Sequence, residues 1–166
     1  MSEKEEKIST NRKILFCISG IQNSGKTSTL KILYDQFKKL PSFSSLTTPS
    51  TNDDFSDIFT ISINKNTYKV GYNTAGDIPS DIDNILKTFI KCDLIICASR
   101  SRGATKDAVE NFAKNNGFEL KMISKSYFKI NSSTNTNNIK KEEDYLNKYF
   151  AEYLYTLISD SINGSL

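Results

Sequence analysis

The residues Gly20-Ile21-Gln22-Asn23-Ser24-Gly25-Lys26-Thr27 satisfy the pattern G-x-x-x-x-G-K-[ST] in full. Each position has a chemical reason. Glycine allows backbone angles that a Cβ obstructs, so successive amides can turn inward around phosphate oxygens where a helix begins. Lys26 supplies an ammonium for the β- and γ-phosphates, and Thr27 a hydroxyl for a magnesium ion that bridges them. Gly20, Gln22, Asn23, Ser24, Gly25 and Ser28 complete the expected binding set. The ligand this pattern calls for is a nucleoside triphosphate with Mg2+.

Phosphoryl chemistry on such a loop also needs an acid on a neighbouring strand to hold the metal through water. No apolar run ends directly in Asp. Asp77, closing Tyr68-Lys69-Val70-Gly71-Tyr72-Asn73-Thr74-Ala75-Gly76-Asp77, is the first candidate for metal and catalysis, because the strand before it delivers the Gly76-Asp77 turn to the phosphate site. A solvated turn Asp ahead of a helix is the plainer account of the same residue. Asp53 and Asp54 are weaker candidates, since their loop must fold over the nucleotide to reach it. Arg100 and Arg102, in Cys97-Ala98-Ser99-Arg100-Ser101-Arg102-Gly103-Ala104-Thr105, stand at a strand exit where either can pair with phosphate or an anionic second substrate and assist catalysis. The alternative is a solvated loop with Thr105 capping the next helix.

The elements that must position these groups are readable from hydrophobic period. Ile14 to Ile18 is a continuous apolar run, as in a strand buried on both faces, and Leu30, Leu33, Phe37 and Leu40 predict a helix from about Lys26 to Leu40. Pro41 to Ser56 reads as a long exposed loop, and Ile58 to Ile63 with Tyr68 to Tyr72 as a hairpin whose first strand lies at the sheet edge. Pro79-Ser80 starts a helix that ends near Lys91, with Ser80 and Asp83 resembling a capping box. Asp93 to Ala98 is another buried strand, Ala104 to Asn115 a helix stopped by Gly117, and Glu119 to Ile130 a strand. Asn131 to Asn138 is a polar loop before a final helix from about Lys140 to Ser161, whose aromatic and aliphatic pairs at a spacing of four predict packing on the sheet. Tyr-rich surfaces also favour interfaces, which keeps a homodimer among the outcomes. Alternating strands and helices predict an α/β fold of three layers, with a mainly parallel central sheet flanked by helices and a β-hairpin at its edge. Residues 1–12 read as a flexible tail and 13–166 as one domain, a size that 166 residues suit.

Composition narrows the chemistry further. The chain has no histidine, which removes Ser-His and Cys-His nucleophile pairs and His-based zinc sites. Cys17, Cys92 and Cys97 sit in apolar runs without paired spacing and read as reduced core residues. The net charge of +3 is slight and its lysines are scattered among acids, so nothing points to nucleic acid. No apolar run approaches the roughly 20 residues that span a bilayer, and Met1 to Lys13 lacks the apolar middle of a secretory signal. A soluble, cytoplasmic protein is expected.

On the Gly20–Thr27 motif and its strand–helix context, the chain resembles the P-loop NTPase superfamily. That resemblance implies a sheet with the phosphate loop at the carboxyl ends of its strands. Asn73-Thr74-Ala75-Gly76 is similar to the Asp-x-x-Gly switch of small GTPases, with Asn replacing the carboxylate, and no Asn-Lys-x-Asp guanine motif follows a later strand. Adenine is therefore the expected base. The Gly76-Asp77 turn together with the strand ending Ala-Ser-Arg-Ser-Arg-Gly resembles small bacterial and phage-type ATP-binding, kinase-like proteins of undefined role. The expected function is Mg-dependent γ-phosphoryl transfer from ATP, most generally hydrolysis. A kinase for a small-molecule or nucleoside acceptor, and a nucleotide-controlled module that binds a protein partner, are the alternatives.

Overall fold

Ile14, Phe16 and Ile18 of strand β1 (Ile14–Ser19) point to one side, Leu15 and Cys17 to the other, and all five are buried. A strand covered on both faces requires helices above and below it. The computed structural model, which describes residues 12–49, 53–125 and 136–164, supplies them. After β1 come α1 (Lys26–Lys38), β2 (Ser44–Ser45), β3 (Ser56–Ile63), β4 (Asn66–Asn73) and α2 (Pro79–Thr88). Then follow β5 (Leu94–Ser99), α3 (Ala104–Asn115), β6 (Glu119–Ser124) and α4 (Thr136–Ile162).

On one face Leu30, Leu33 and Phe37 of α1 and Ala151, Leu154 and Ile158 of α4 bury against Ile14, Phe16 and Ile18. On the other, Ile82 and Leu86 of α2 and Val109 and Phe112 of α3 bury against Leu15 and Cys17. The three layers expected from the sequence are thus present. Cys17, Cys92 and Cys97 are free thiols in the interior.

The sheet has the order β2-β3-β4-β5-β1-β6 and is mixed, which corrects the expectation of a mainly parallel sheet. β4 with β5, β5 with β1, and β1 with β6 are parallel; β3 with β4 and β2 with β3 are antiparallel. The reason is the hairpin connection, which shrinks to Asn64-Lys65, both at positive φ (51° and 69°). Two such residues form the tight turn that matches strand twist and leave no room for a crossover. β3 is also not the edge strand, because Ser44 and Ser45 of the polar loop pair with Thr60 and Phe59.

Several boundaries differ from the expected ones. α2 is entered through Ile78 with Pro79 in its first turn and no side-chain cap, so the Ser80–Asp83 box does not form, and the helix stops at Thr88. β6 ends at Ser124, and the strand expected to continue through 126–130 lies outside the described residues. Of the loop expected at Asn131–Asn138, 131–135 also lies outside them, and Thr136 opens α4. Of the expected tail, only Arg12 is described. No helix among the described residues is long and apolar enough to cross a membrane.

β1 and β5 are neighbours whose following helices leave to opposite faces of the sheet. Such a divergence opens a crevice at the carboxyl ends of the two strands, the place where open α/β sheets take ligands. Here those ends are Ser19 and Ser99.

Candidate functional site

The loop after Ser19 is pinned to the neighbouring strand by the Gly20 amide, which donates to the Ser99 carbonyl at 3.2 Å. It then turns through left-handed Asn23 (φ 60°) and Gly25 (φ 82°) into α1. Alternating handedness is how a short stretch of backbone aims successive amides into one concavity. The first helical bond runs from the Thr29 amide to the Gly25 carbonyl at 3.0 Å, so the amides of Lys26, Thr27 and Ser28 have no intrahelical acceptor. No acidic residue stands in that first turn to neutralise the positive end of the helix. Ser24 is buried, and its Oγ has no hydrogen-bond partner among the described residues.

Lys26 is only 7% exposed, and its Nζ donates back to the Gly20 and Ile21 carbonyls at 3.0 and 2.8 Å. Burial lowers its proton affinity below the ordinary lysine value, and the Asp77 carboxylate works in the opposite direction. Thr27 Oγ1 donates to Asp54 Oδ1 at 3.2 Å and lies 3.4 Å from the Thr74 carbonyl. The loop preceding β3 therefore folds against the start of α1, held by the Phe55 amide on Thr74 Oγ1 (2.9 Å) and the Thr74 amide on the Phe55 carbonyl (3.0 Å).

Asp54, the weaker sequence candidate, touches Thr27; Asp77 instead pairs with Arg100, Nε to Oδ1 at 3.5 Å, with both side chains about half exposed. The Asp77 turn is nevertheless close to the site, because Gly76 lies so near β5 that a Cβ there would stand 2.9 Å from the Ala98 carbonyl carbon. Asn73 is spent inside the turn, donating to the Ala75 carbonyl at 2.7 Å and accepting its amide. Thr105 does not cap α3, whose N-cap is Gly103; its Oγ1 accepts the Arg100 amide at 3.0 Å. Arg100 is thereby brought beside Asp77, whereas Arg102 is exposed and makes no ion pair among the described residues.

Two participants escaped the sequence reading. Lys125, directly after β6, donates from Nζ to the Ser24 carbonyl and to Asn147 Oδ1 at 2.7 Å. Asn147 of α4 is 7% exposed and also accepts from Thr29 Oγ1 at 3.4 Å. A signal for Asn147 existed: it shares helical spacing with Ala151, Leu154 and Ile158, so a polar residue interrupts the buried stripe. None marked Lys125. Both line a cavity of about 910 Å3 that opens beside Gly25 and Ser28 and is walled by Phe150 and Tyr153. Among the described residues no group of three His, Cys, Asp or Glu side chains is placed to hold a metal by itself.

No family model, curated protein or solved structure matches this chain.

Proposed function

We propose that the chain is a P-loop protein that binds a magnesium nucleoside triphosphate on Gly20–Thr27 and transfers its γ-phosphoryl group, with ATP as nucleotide and hydrolysis as the general reaction. One observation carries this reading: the Ser24 hydroxyl, without a partner among the described residues, and three amides without an intrahelical acceptor meet at the positive end of α1 beside the buried Lys26. A polyphosphate satisfies all of these donors at once.

The residues fit magnesium as well. Thr27 Oγ1 and the Asp54 carboxylate are adjacent hard oxygen donors, and the remaining ligands of a magnesium ion on such a loop come from phosphate and water. Thr27 and Asp54 would hold the metal, which when bound offsets charge on the phosphates. In this scheme the Lys26 ammonium exchanges the Gly20 and Ile21 carbonyls for phosphate oxygens and stabilises charge on the group being transferred. Asp77 orients Arg100, whose guanidinium can turn to an anion at the same crevice. The neighbouring cavity, within the usual size of ligand pockets and walled by aromatic rings, accommodates the nucleoside end.

Titration calorimetry tests the binding step. Mg-ATP should bind the native chain, and Lys26→Ala should lose at least tenfold in affinity while keeping its melting temperature; equal affinity in the variant would refute the assignment. Phosphate release that needs no added metabolite identifies an ATPase, whereas turnover only with an added alcohol or nucleoside identifies a kinase. The Thr27–Asp54 contact favours a second reading, nucleotide-controlled partner binding, because whatever occupies Thr27 also acts on the loop before β3. Identical partner recovery with ADP and with a non-hydrolysable ATP analogue would count against it.

A further inference from the structure

Lys125 is fixed at its backbone before its side chain is considered. Its amide donates to the Ser19 carbonyl at 2.7 Å, and its own carbonyl lies 2.9 Å from where a Cβ on Gly20 would stand. From that anchor the ammonium reaches under the loop to the Ser24 carbonyl and Asn147 Oδ1 and lies 5.8 Å from the centre of the Phe150 ring. The pair also presses on Gly25, where a Cβ would meet Asn147 Oδ1 at 2.4 Å and Lys125 Nζ at 2.8 Å. A side chain at 25 would be strained by the positive φ and would displace the Asn147 and Lys125 side-chain ends.

The Ser24 carbonyl and the Gly25 amide belong to one planar trans peptide, so they point in opposite directions. Drawing the carbonyl towards Lys125 turns the amide to the opposite side of that peptide. We propose that Lys125, held by Asn147, is a positioning residue that sets the Ser24–Gly25 peptide for phosphate. This rests on the reading of the loop as a polyphosphate site. Lys125 makes no ion pair with a carboxylate among the described residues; burial, and after it the charge of Lys26, lower its proton affinity, with the Glu143 carboxylate working in the opposite direction.

The test uses the full chain and magnesium tripolyphosphate, which has no base to occupy the cavity. Lys125→Met should weaken tripolyphosphate binding tenfold or more, Asn147→Ala about threefold, and Lys125→Arg should recover most of the loss. The Gly25 amide resonance should move on tripolyphosphate addition in the native chain and move much less in Asn147→Ala, a variant that retains Lys125 and settles the matter should Lys125→Met not fold. Unchanged affinity and an unchanged Gly25 response in the variants overturn the positioning role alone. No binding of tripolyphosphate or of any nucleotide by the native chain overturns the polyphosphate site, and this inference with it.

Discussion

At the scale of single residues, the instructive pair is Asp54 and Asp77. Spacing pointed to Asp77, since it follows a strand and a glycine turn, and the structure does bring it to the crevice edge, where it holds Arg100. Thr27, however, meets Asp54. An exposed ion pair such as Asp77–Arg100 contributes under about 1 kcal/mol, so its value is in orientation and not in stability. Asp54→Asn should raise the magnesium concentration needed for half-maximal nucleotide binding about tenfold, roughly the size of one hydrogen bond to a charged group, and Asp77→Asn should change it by no more than about threefold. A magnesium titration of nucleotide affinity in the two variants checks this, and equal effects would contradict it.

At the scale of elements, the loop carrying Asp54 is itself positioned by a buried carboxylate. Asp57 of β3 is 1% exposed and accepts from Tyr34 Oη of α1 at 2.7 Å, from Ser45 Oγ of β2 at 2.9 Å, and from Thr47 Oγ1. One residue thereby ties helix, hairpin and loop. Asp57→Ala leaves several donors without an acceptor and should cost about 3 kcal/mol in a urea denaturation, with a midpoint close to the native one as the contrary result. The tyrosines of this layer give the element a pH signature. Burial, reinforced by Asp57, raises the Tyr34 pKa, and burial raises that of Tyr72, whose hydroxyl donates to the Leu30 carbonyl at 2.6 Å. A raised folded-state pKa means the unfolded chain ionises first, from the ordinary value of 10.0 upward. Their contribution is complete below that pH and is lost progressively above it, so the melting temperature should begin to fall near pH 10 and keep falling as the pH rises further. Tyr34→Phe should fall less steeply; an identical slope would remove Tyr34 as the cause.

At the scale of the whole molecule, what was legible in the sequence depended on how local its cause is. β1 and β5 were readable because burial on both faces needs an unbroken apolar run, and α3 because Val109, Phe112 and Ala113 share one face. The Gly20–Thr27 motif could be picked out because its residues are adjacent in the chain. Strand order was not, since β5 inserts between β4 and β1 through contacts that no local pattern encodes. Asp54 meets Thr27 across 27 positions, and Lys125 meets Ser24 across 101, so both needed coordinates. The final helix shows the same limit: Leu154 and Ile158 bury as expected, while Tyr145, Tyr149 and Tyr153 of the same aromatic–aliphatic pairs stay more than half exposed.

The central claim is that backbone amides at the start of α1 hold a polyphosphate, and amide resonance mapping during a Mg-ATP titration tests it most directly. The account predicts that the largest shifts fall on Gly25, Lys26, Thr27 and Ser28, and that Lys26→Ala abolishes them. A saturating titration that leaves those four amides in place would contradict it.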